Sequence, residues 1–316
     1  MERVLVTGGA GFIGSHLVDR LIIDNEVVVL DDLSGGNIEF IKPHMNNKRF
    51  TFIEGSIASE KASKQALQDV TTVYHFAAKP DVRLSATDPM SDFKVNIIGG
   101  YSFLESLRRN DVKRIVFASS GGTVYGDSEV FPTPENTPLA PISNYGAAKC
   151  AFEMYLSSYS ALYGMSSASM RLGNIIGPRL TRGIFFDLYN KLKKDPTRLE
   201  VLGTGHQDKS YMYVSDTVEA AVVIAANLKP GHTPINVSSD ESLKVSRIAE
   251  MICEMLGLPD VRIEFTGSKR GWAGDVVIMN LDITLLKSLG WKQNVTIEDG
   301  VQMYIDWLVE NYGSIR

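Results

Sequence analysis

The sequence contains few of the residues that build metal sites or disulfide frameworks. Its 316 residues include two cysteines, Cys150 and Cys253, and five histidines. The cysteines are far apart in the chain, and the histidines, at positions 16, 44, 75, 206 and 232, are scattered. Zinc sites and disulfide scaffolds place such residues at short, regular spacings. We therefore expect a protein with no bound metal and no disulfide framework.

Long apolar runs and an excess of positive charge are also missing. No uninterrupted apolar stretch approaches the roughly 20 residues that cross a bilayer. The first predicted strand starts almost at Met1, which leaves no room for a targeting peptide ahead of it. The 32 Lys and Arg residues against 37 Asp and Glu residues give a net charge of -5, without the basic excess that nucleic acids or anionic membranes attract. We expect a cytoplasmic protein with neither of these partners.

The first half of the sequence alternates β-rich apolar runs with amphipathic stretches, a pattern typical of parallel strands joined by helices. The predicted strands cover residues 3–6, 26–30, 50–53, 72–76, 114–118 and 167–171. The predicted helices cover residues 12–23, 59–69, 88–109 and 144–163. Because the strands are apolar on both faces, we predict an α/β fold with a Rossmann-type, doubly wound parallel sheet.

The chain changes character after Arg171, where proline and glycine separate shorter elements. Further helices are predicted at 214–228, 245–256 and 296–311, and a buried strand at 234–237. We assign residues 1–171 to the main domain and expect the segment 213–238 to return to its sheet. The remaining residues, 172–212 and 239–316, are expected to form a smaller α/β lobe.

A glycine-rich turn follows the first predicted strand. Residues 7–15 read TGGAGFIGS, with glycines at positions 8, 11 and 14. In a dinucleotide-binding turn the first glycine permits the tight turn, and the second lets backbone approach a pyrophosphate at the helix N-terminus. The third allows close packing of helix on strand. With a strand predicted before it and a helix after it, the turn indicates a dinucleotide site.

An acidic residue is present where such a site needs one. Asp31 ends the second predicted strand, twenty residues after Gly11, and is placed to accept hydrogen bonds from the adenosine ribose hydroxyls. Asp31 would repel the 2′-phosphate of NADP, and the next basic residue along the chain is Lys42. We therefore predict NAD rather than NADP as the cofactor.

A second motif, Tyr145-x-x-x-Lys149, opens a predicted helix. Residues four apart share a helix face, so the phenol and the ammonium can point into one site. A free tyrosine has a pKa of about 10 and is a poor base at neutral pH, but a nearby ammonium, together with the positive charge of an oxidised nicotinamide, favours the phenolate and lowers that pKa. The pair can then remove a proton from a hydroxyl while hydride leaves the same carbon. Such pairs are common in helices. The dinucleotide motif and the serine-rich strand end before this pair favour its functional interpretation.

Together these motifs resemble the extended short-chain dehydrogenase/reductase family, and within it the nucleotide-sugar epimerases of the UDP-glucose 4-epimerase type. The similarity extends over nearly the whole chain. It includes residues 30–34, 75–78, 95–96, 123–126, 171–174, 177–179, 203–205, 213–216 and 274–275. The resemblance implies an enzyme that keeps NAD bound, interconverts UDP-galactose and UDP-glucose, and binds the UDP-sugar through the smaller lobe.

In the mechanism that this resemblance implies, Tyr145 takes the proton of the sugar 4-hydroxyl while C4 passes hydride to NAD. The 4-keto sugar then swings about its diphosphate link, hydride returns to its other face, and C4 is inverted. Lys149 also contacts the nicotinamide ribose, and a small hydroxyl residue bonds the sugar 4-oxygen. Counting along the strand places Ser120 there, whereas counting back from Thr123 places Gly121 there. We choose Ser120, with Thr123 in reserve.

The resemblance also implies which residues hold the two ligands. The expected cofactor-binding residues are Gly8, Gly11, Phe12, Ile13, Gly14, Asp31, Asp32, Ser34, Gly35, Ser56, Ile57, Phe76, Ala77, Ala78, Asn96, Ser119, Tyr145 and Lys149. The expected substrate-binding residues are Ser120, Tyr145, Asn174, Arg179, Lys209, Arg270 and Asp275.

Three positions depart from the family pattern. Lys209 and Trp272 stand where many relatives have arginine, and Ser56 replaces an aspartate near the adenine. A lysine supplies charge without the bidentate fork of arginine, and Arg270 or Arg179 could compensate at the second position. These departures concern substrate affinity and head-group choice rather than the redox chemistry.

Other activities fit the sequence less well. A 4,6-dehydratase needs an acid–base Asp-Glu pair directly after the hydroxyl residue, where this chain has Gly121 and Gly122, and a UDP-glucuronate decarboxylase would want an acidic or carboxylate-binding residue in that loop. An NADP-linked ketoreductase conflicts with Asp31. A non-catalytic NAD-binding regulator has usually lost Tyr145 or Lys149. A UDP-N-acetylhexosamine 4-epimerase stays open as the alternative.

Two predicted helices, 88–109 and 144–163, carry apolar residues that could pack on a partner. These are Phe93, Phe103, Leu104, Leu107, Met154, Tyr155 and Tyr159. The resemblance implies a homodimer through a four-helix bundle built from these helices. The alternative is ordinary packing on the sheet.

Overall fold

The computed structural model describes residues 1–268, 271 and 274–315. Within them it has thirteen strands and twelve α-helices, numbered in chain order. The strands are β1 (Arg3–Thr7), β2 (Glu26–Asp31), β3 (Phe50–Glu54), β4 (Thr72–His75), β5 (Arg114–Ser120), β6 (Ser166–Leu172), β7 (Asn174–Ile176), β8 (Arg198–Val201), β9 (Asp208–Tyr213), β10 (Gly231–Val237), β11 (Ser242–Lys244), β12 (Arg262–Phe265) and β13 (Ile278–Met279). The helices are α1 (Phe12–Leu21), α2 (Glu60–Ala66), α3 (Val82–Thr87), α4 (Pro89–Asp92), α5 (Gly100–Arg109), α6 (Gly121–Val124), α7 (Asn144–Tyr163), α8 (Ile184–Lys194), α9 (Val214–Ala226), α10 (Val245–Met255), α11 (Thr284–Ser288) and α12 (Ile297–Tyr312).

Seven parallel strands form the central sheet, in the order β10-β6-β5-β4-β1-β2-β3. The chain winds outward from β1 in both directions, through β2 and β3 on one side and through β4, β5 and β6 on the other. The predicted α/β fold of Rossmann type is confirmed. In such sheets ligands bind beyond the carboxyl ends of the strands at the point where the winding reverses, which here is between β1 and β4.

The sheet is apolar on both faces because it separates two cores. In β1, Val4 and Val6 pack in the core that contains residues of α1 and α9. Leu5, which points to the opposite face, packs in the core that contains residues of α5 and α7. Each fully buried aliphatic side chain of this kind stabilises the fold by roughly 1.5–3 kcal/mol. This two-sided burial produces the continuous apolar runs in the sequence.

The helix predicted over residues 88–109 consists of three consecutive helical segments. α4 begins after Asp88, whose side chain accepts a hydrogen bond from the Ser91 amide at 3.2 Å. A π-helix over Phe93–Gly99 follows, and α5 continues from it. Single wide turns of this type occur often near functional sites.

The apolar residues of these segments and of α7 divide between two environments. Phe103, Leu104 and Leu107 are buried against the sheet, and Tyr159 is also buried, so ordinary packing explains these four. Phe93, Met154 and Tyr155 are instead exposed, by 47 %, 54 % and 41 % respectively. The amphipathic pattern alone could not separate the two groups.

The remaining elements build a smaller lobe around its own core. β7, β9, β11 and β13 form one sheet, and β8 pairs with β12 in another. α8, α10 and α12 enclose a core that includes Phe185, Tyr189, Ile248, Tyr304 and Leu308. Sequence reasoning missed α8, although Phe185, Leu188, Tyr189 and Leu192 recur on one helix face. It also missed the short strands of this lobe, which are two to six residues long. α9 and β10 pack with the central sheet, where β10 pairs with β6.

Neither membrane-spanning nor metal-holding features are found in the described part of the chain. None of its helices combines the length and the apolarity that crossing a bilayer requires. No three His, Cys, Asp or Glu side chains among the same residues converge in a way that could hold a metal ion.

Candidate active site

The glycine-rich turn lies between β1 and the N-terminus of α1. Gly8 has a left-handed φ of 70°, and a Cβ placed on it would stand 2.6 Å from the backbone nitrogen of Ala77. A Cβ on Gly14 would stand 2.1 Å from the carbonyl oxygen of Gly8. Any side chain at either position would displace backbone. The start of α1 therefore opens directly on a cavity that Gly11 lines, where the helix N-terminus favours an anion.

Asp31 is fixed at the end of β2 by backbone donors. Its Oδ2 accepts from the Ala10 amide at 2.9 Å, and its Oδ1 accepts from the Leu33 amide at 2.8 Å. Burial raises the pKa of Asp31 above its usual value, whereas the hydrogen bonds from the Leu33 and Ala10 amides lower that pKa. Each carboxylate oxygen has a further lone pair, and the residue lines the same cavity as the glycine turn.

One cavity of about 980 Å³ brings nearly all the predicted cofactor residues together. From that set it is lined by Gly8, Gly11, Phe12, Ile13, Gly14, Asp31, Asp32, Ser34, Gly35, Ser56, Ile57, Phe76, Ala77, Ala78, Ser119, Tyr145 and Lys149. The cradle at Gly8 and Gly14, which no side chain could enter, and the carboxylate of Asp31 are what a dinucleotide requires. The residues present therefore fit NAD.

Asn96 departs from the predicted set. Its Oδ1 accepts from the Lys79 amide at 2.8 Å, and its Nδ2 donates to the Lys79 carbonyl at 3.0 Å and to the Asp92 carboxylate at 2.8 Å. It is not among the described residues that line the cavity. These bonds tie Asn96 to the loop after β4, and its contribution to the cofactor site stays a prediction.

Tyr145 and Lys149 lie on the first two turns of α7. That helix begins with the Ser143 hydroxyl accepting from the Gly146 amide at 3.1 Å. The Nζ of Lys149 is buried, donates to the Ala118 carbonyl at 2.7 Å, and lies 5.4 Å from the centre of the Tyr145 ring. Both residues line the cofactor cavity, and Tyr145 also lines a second cavity. The phenol therefore stands where the two cavities meet.

Burial shifts the pKa values of these two groups in opposite directions. It raises the pKa of Tyr145 to about 12, while the Arg182 charge acts to lower it and the Asp92 charge to raise it. It lowers the pKa of Lys149 to about 8, and the negative charges of Asp92 and Glu153 oppose that change. The lowered tyrosine pKa was predicted for the site with an oxidised nicotinamide beside the ammonium; in the protein alone desolvation has the larger effect on Tyr145. Tyr145 needs more positive charge nearby before it can act as a base at neutral pH.

Three hydroxyl residues at the end of β5 and in α6 differ in what their hydroxyls bond. Ser119 is buried and donates to the Glu153 carboxylate. Thr123 lines the second cavity and donates to the Ser120 carbonyl at 3.5 Å. Ser120 also lines the second cavity, and its hydroxyl has no hydrogen-bond partner within the described residues. Gly121 has no side chain, and a Cβ on it would stand 2.5 Å from Leu281 Cδ1. Of these four positions, Ser120 is therefore the one whose hydroxyl is free to bind a ligand.

The second cavity, of about 760 Å³, contains three of the other predicted substrate residues. The Nδ2 of Asn174 is buried there without a hydrogen-bond partner in the part of the chain that is described. Lys209 and Asp275 form an ion pair with Nζ and Oδ1 2.5 Å apart, and Asp275 also accepts from the Gly271 amide at 3.1 Å. The cavity thus presents an unpaired amide and a cation that already has a counter-charge.

Arg179 lies on the cofactor side of the site and not in the second cavity. It lines the cofactor cavity, its Nη1 lies 2.8 Å from an oxygen of Asp19, and its guanidinium stacks 5.6 Å from the centre of the Phe40 ring. These partners place the Arg179 side chain on the cofactor side, and its contact with substrate stays a prediction. Arg270 and Trp272 lie outside the described residues.

Arg182 and Gln207 line the site although the sequence analysis did not select them. Arg182 lines both cavities. Gln207 is buried in the second cavity, and its Oε1 has no partner among the described atoms. Both residues lie in irregular segments that show no periodic pattern. For Gln207 the available signal is its position two residues before Lys209, which places the two on one face of an extended segment.

Comparison with known proteins places this site in a family. A family model described as the NAD-dependent epimerase/dehydratase family matches residues 4–238. A putative UDP-glucose 4-epimerase of Methanocaldococcus jannaschii is 34 % identical over 314 residues, covering 98 % of this chain and 99 % of the relative.

Solved structures of nucleotide-sugar epimerases also match this chain over nearly its whole length. The chain is 39 % identical to a UDP-galactose 4-epimerase crystal structure, with a TM-score of 0.86, covering 98 % of this chain and 99 % of the other. A UDP-glucose 4-epimerase from Thermotoga maritima, solved with UDP-glucose, is 33 % identical with a TM-score of 0.89 and the same coverage. A UDP-N-acetylglucosamine 4-epimerase from Methanobrevibacter ruminantium is 28 % identical with a TM-score of 0.89, covering 98 % of each chain.

Proposed function

This chain belongs to the NAD-dependent epimerase/dehydratase family, and from that premise we propose that it interconverts UDP-galactose and UDP-glucose through a transient 4-keto sugar. The observation that carries the proposal is the position of Tyr145. Its phenol lines both the cofactor cavity and the second cavity, next to the buried ammonium of Lys149. A single group that faces both ligands can exchange a proton with the sugar 4-hydroxyl while hydride moves on the same carbon.

The cofactor would be held by the glycine turn at its pyrophosphate and by Asp31 at its adenosine ribose. Bound NAD supplies a hydride acceptor, a hydride donor once it is reduced, and a positive charge in its oxidised form. Asp31 favours NAD over NADP because its carboxylate, already held by two amides, would repel a 2′-phosphate. Lys42 does not offset that repulsion, since it pairs with Glu39 at 2.9 Å.

The proton-handling residues are Tyr145, Lys149 and Ser120. Tyr145 removes the proton from the sugar 4-hydroxyl and returns it after the ring has turned over. Lys149 keeps a cation beside the phenol and lowers the free energy of the phenolate. Ser120, whose hydroxyl is free, hydrogen-bonds the 4-oxygen in either orientation.

The diphosphate and the uridine would occupy the second cavity. Asn174 offers an unpaired amide donor, and Lys209 offers a cation whose charge Asp275 partly neutralises. A phosphate of the substrate could compete with Asp275 for Lys209. This competition would hold the diphosphate loosely enough for the sugar to swing. In this proposal residues 1–171 and 213–238 serve NAD, and residues 172–212 and 239–316 serve the sugar nucleotide.

Dehydration of the sugar is disfavoured at this site. Loss of the C6 hydroxyl as water needs a proton donor next to the residue that bonds the 4-oxygen. Here those positions are Gly121 and Gly122, and a Cβ on Gly122 would stand 2.9 Å from the Sδ of Met279. The site therefore has no acid at these positions, and Gly121, where a Cβ would stand 2.9 Å from the Arg171 carbonyl oxygen, has no space for one.

An acetylated hexose is the second candidate substrate. The solved UDP-N-acetylglucosamine 4-epimerase shares the fold over nearly the whole chain, and Met279, a flexible side chain, forms part of the wall of the second cavity. Both substrates use the same proton and hydride chemistry at C4, so the alternative changes the sugar and not the mechanism.

Product analysis tests the proposal directly. The purified protein is incubated with UDP-galactose and, separately, with UDP-N-acetylgalactosamine, and the nucleotide sugars are resolved by chromatography. We expect UDP-glucose from the first reaction. Conversion of the acetylated sugar alone would change the substrate and keep the reaction class, whereas a 4-keto-6-deoxy product would overturn the proposal.

We also propose that the enzyme is a homodimer. The residues that support this are exposed apolar side chains on the π-helix, α5 and α7. They are Phe93, Val95, Ile98, Tyr101, Met154, Tyr155, Leu162 and Tyr163. An apolar face of this kind is stabilised when a second copy covers it, and a two-fold contact would pair the same helices of both chains.

A further inference from the structure

Glu153 is a fully buried carboxylate on the helix that carries the catalytic pair. It is 0 % exposed and follows Lys149 by four residues and Tyr145 by eight, so all three lie on one face of α7. A buried carboxylate is unfavourable unless it is paired and hydrogen-bonded. The mechanism proposed above assigns Glu153 no role.

The partner of Glu153 is an equally buried arginine on β6. Arg171 is 3 % exposed. Its Nε lies 3.1 Å and its Nη2 lies 2.7 Å from Oε2 of Glu153. The remaining Nη1 donates to the Tyr125 hydroxyl and to the Glu135 carbonyl, both at 2.8 Å. The ion pair is therefore satisfied on both sides and does not move freely.

The other oxygen of Glu153 reaches the end of β5, where Ser119 donates its hydroxyl proton to Oε1. Ser119 stands between two residues of the proposed site. The carbonyl of Ala118, before it, accepts from Lys149 at 2.7 Å, and Ser120, after it, lines the substrate cavity. The hydrogen bond between Ser119 and Glu153 thus fixes the position of residues 118–120 relative to α7.

We propose that Glu153 is a positioning residue of the reaction, which holds the end of β5 against α7 so that Lys149 and Ser120 are both placed relative to Tyr145. The inference rests on the proposed function. Fold stability alone does not account for the arrangement, because buried ion pairs are often no more stabilising than apolar residues of similar size. A displacement of about 1 Å in such a site can lower the rate about a hundredfold.

The Glu153 charge also acts on Lys149. The titratable and charged groups around that ammonium are Tyr145 and Glu153 on α7, Asp92 on α4 and His75 on β4. Burial lowers the pKa of Lys149, and Glu153 and Asp92 oppose this. His75 is buried and neutral in the working range, because burial lowers its pKa to about 3. Loss of the Glu153 charge should therefore lower the pKa of Lys149 further.

Three variants separate position from charge. Ser119→Ala removes the hydrogen bond and keeps the carboxylate, and Glu153→Gln removes the charge and keeps the shape. Ser160→Ala is the matched control, since this buried serine on the same helix bonds the Ser167 hydroxyl at 2.9 Å, away from the site. Epimerisation rates are measured from pH 6 to 10 with the NAD-bound enzyme.

We expect kcat to fall at least about tenfold in Ser119→Ala and in Glu153→Gln, with KM changed less than about twofold. The alkaline limb of the kcat profile should move to lower pH by about one unit in Glu153→Gln and stay in place in Ser119→Ala. Ser160→Ala should match the parent. Unchanged kcat in Ser119→Ala would overturn the positioning role.

A second measurement does not depend on turnover. The Lys149 ammonium of the NAD-bound protein is titrated by carbon-13 NMR of labelled lysine, with Lys149→Met used for assignment. The pKa of Lys149 should be lower in Glu153→Gln than in the parent and unchanged in Ser119→Ala. Equal pKa values in all three proteins would contradict the electrostatic part, and inactivity of the parent enzyme on every UDP-hexose would count against the proposed function alone.

Discussion

At the scale of single residues, desolvation controls the chemistry of the site more strongly than pairwise charge. Tyr145 and Lys149 are neighbours, yet burial raises the pKa of the phenol to about 12 and lowers that of the ammonium to about 8. Burial thus disfavours the charged form of each group, although a pKa of about 8 leaves Lys149 mostly protonated at neutral pH. In the proposed mechanism, added positive charge makes Tyr145 basic, which would couple proton removal to the presence of the oxidised cofactor.

Replacing the phenol hydroxyl tests this coupling. Tyr145→Phe should lower kcat by roughly 10²–10⁴-fold, the usual contribution of a general acid–base group, because the ring stays in place and the proton acceptor is lost. The amount of NAD released on denaturation should be unchanged. Tyr163→Phe, at the far end of α7, is the control. If Tyr145→Phe kept the activity of the parent enzyme, the role assigned to Tyr145 would be ruled out.

Removing one member of the buried ion pair tests its contribution to stability. Arg171→Met leaves the Glu153 carboxylate buried without its cation, and should lower the free energy of unfolding by about 3–5 kcal/mol. The double variant, with Glu153→Met added, should regain most of that loss. Denaturant unfolding of the three proteins measures both effects. If the double variant were as unstable as the single one, unpaired charge would not be the cause.

At the scale of elements, the glycine turn and the parallel strands are specified by local rules. Gly8 needs its left-handed φ, and Gly14 packs directly on the Gly8 carbonyl. The side chain of Thr296 caps α12 by accepting from the Asp299 amide at 3.2 Å. These contacts join residues within a few positions of one another, although Gly8 also packs on the backbone of Ala77, 69 residues later.

A methyl group at Gly14 tests the turn. Gly14→Ala would place a carbon 2.1 Å from the Gly8 carbonyl oxygen, and should lower the free energy of unfolding by about 3 kcal/mol or more and weaken NAD binding. Gly35→Ala is the control for folding, because its Cβ would meet no atom within 4 Å. Calorimetry of the cofactor-free variants gives the comparison. Equal melting temperatures would mean that the turn can relax.

Sequence reasoning succeeded where such local rules apply and failed where distant partners decide. It placed the strands of the central sheet, the glycine turn, Asp31 and the Tyr145–Lys149 pair. It could not foresee that Arg179 pairs with Asp19, 160 residues away in the chain, or that the Asn96 amide group bonds the Lys79 backbone. It missed α8, whose buried apolar residues do follow the helical period, and Gln207, which lies in an irregular segment.

At the scale of the whole molecule, the two lobes and the low net charge of -5 are compatible with binding two anionic ligands. Each diphosphate would be held locally, one at the start of α1 and the other near Asn174 and Lys209. Of the exposed apolar residues on the π-helix, α5 and α7, Val95 lines the cofactor cavity, and the others line neither cavity. The proposed dimer would therefore leave the second cavity open and border the cofactor cavity at Val95.

Charge placed on that face tests the dimer. Light scattering should give the parent protein twice the mass of one chain. The double variant Phe93→Glu and Met154→Glu should give the mass of one chain, because burying two carboxylates against an apolar partner is strongly unfavourable. Ile23→Glu is the control, since Ile23 is 60 % exposed on a different surface. A monomeric parent protein would contradict the proposal.

The most direct test of the central claim uses UDP-galactose labelled with deuterium at C4 of the sugar. Hydride that leaves C4 and returns to the same carbon keeps the label, and solvent protons exchange with the 4-oxygen alone. The account predicts UDP-glucose that carries the deuterium at C4, formed without added cofactor by protein that releases NAD on denaturation. Unlabelled UDP-glucose, or UDP-galactose recovered unchanged, would contradict it.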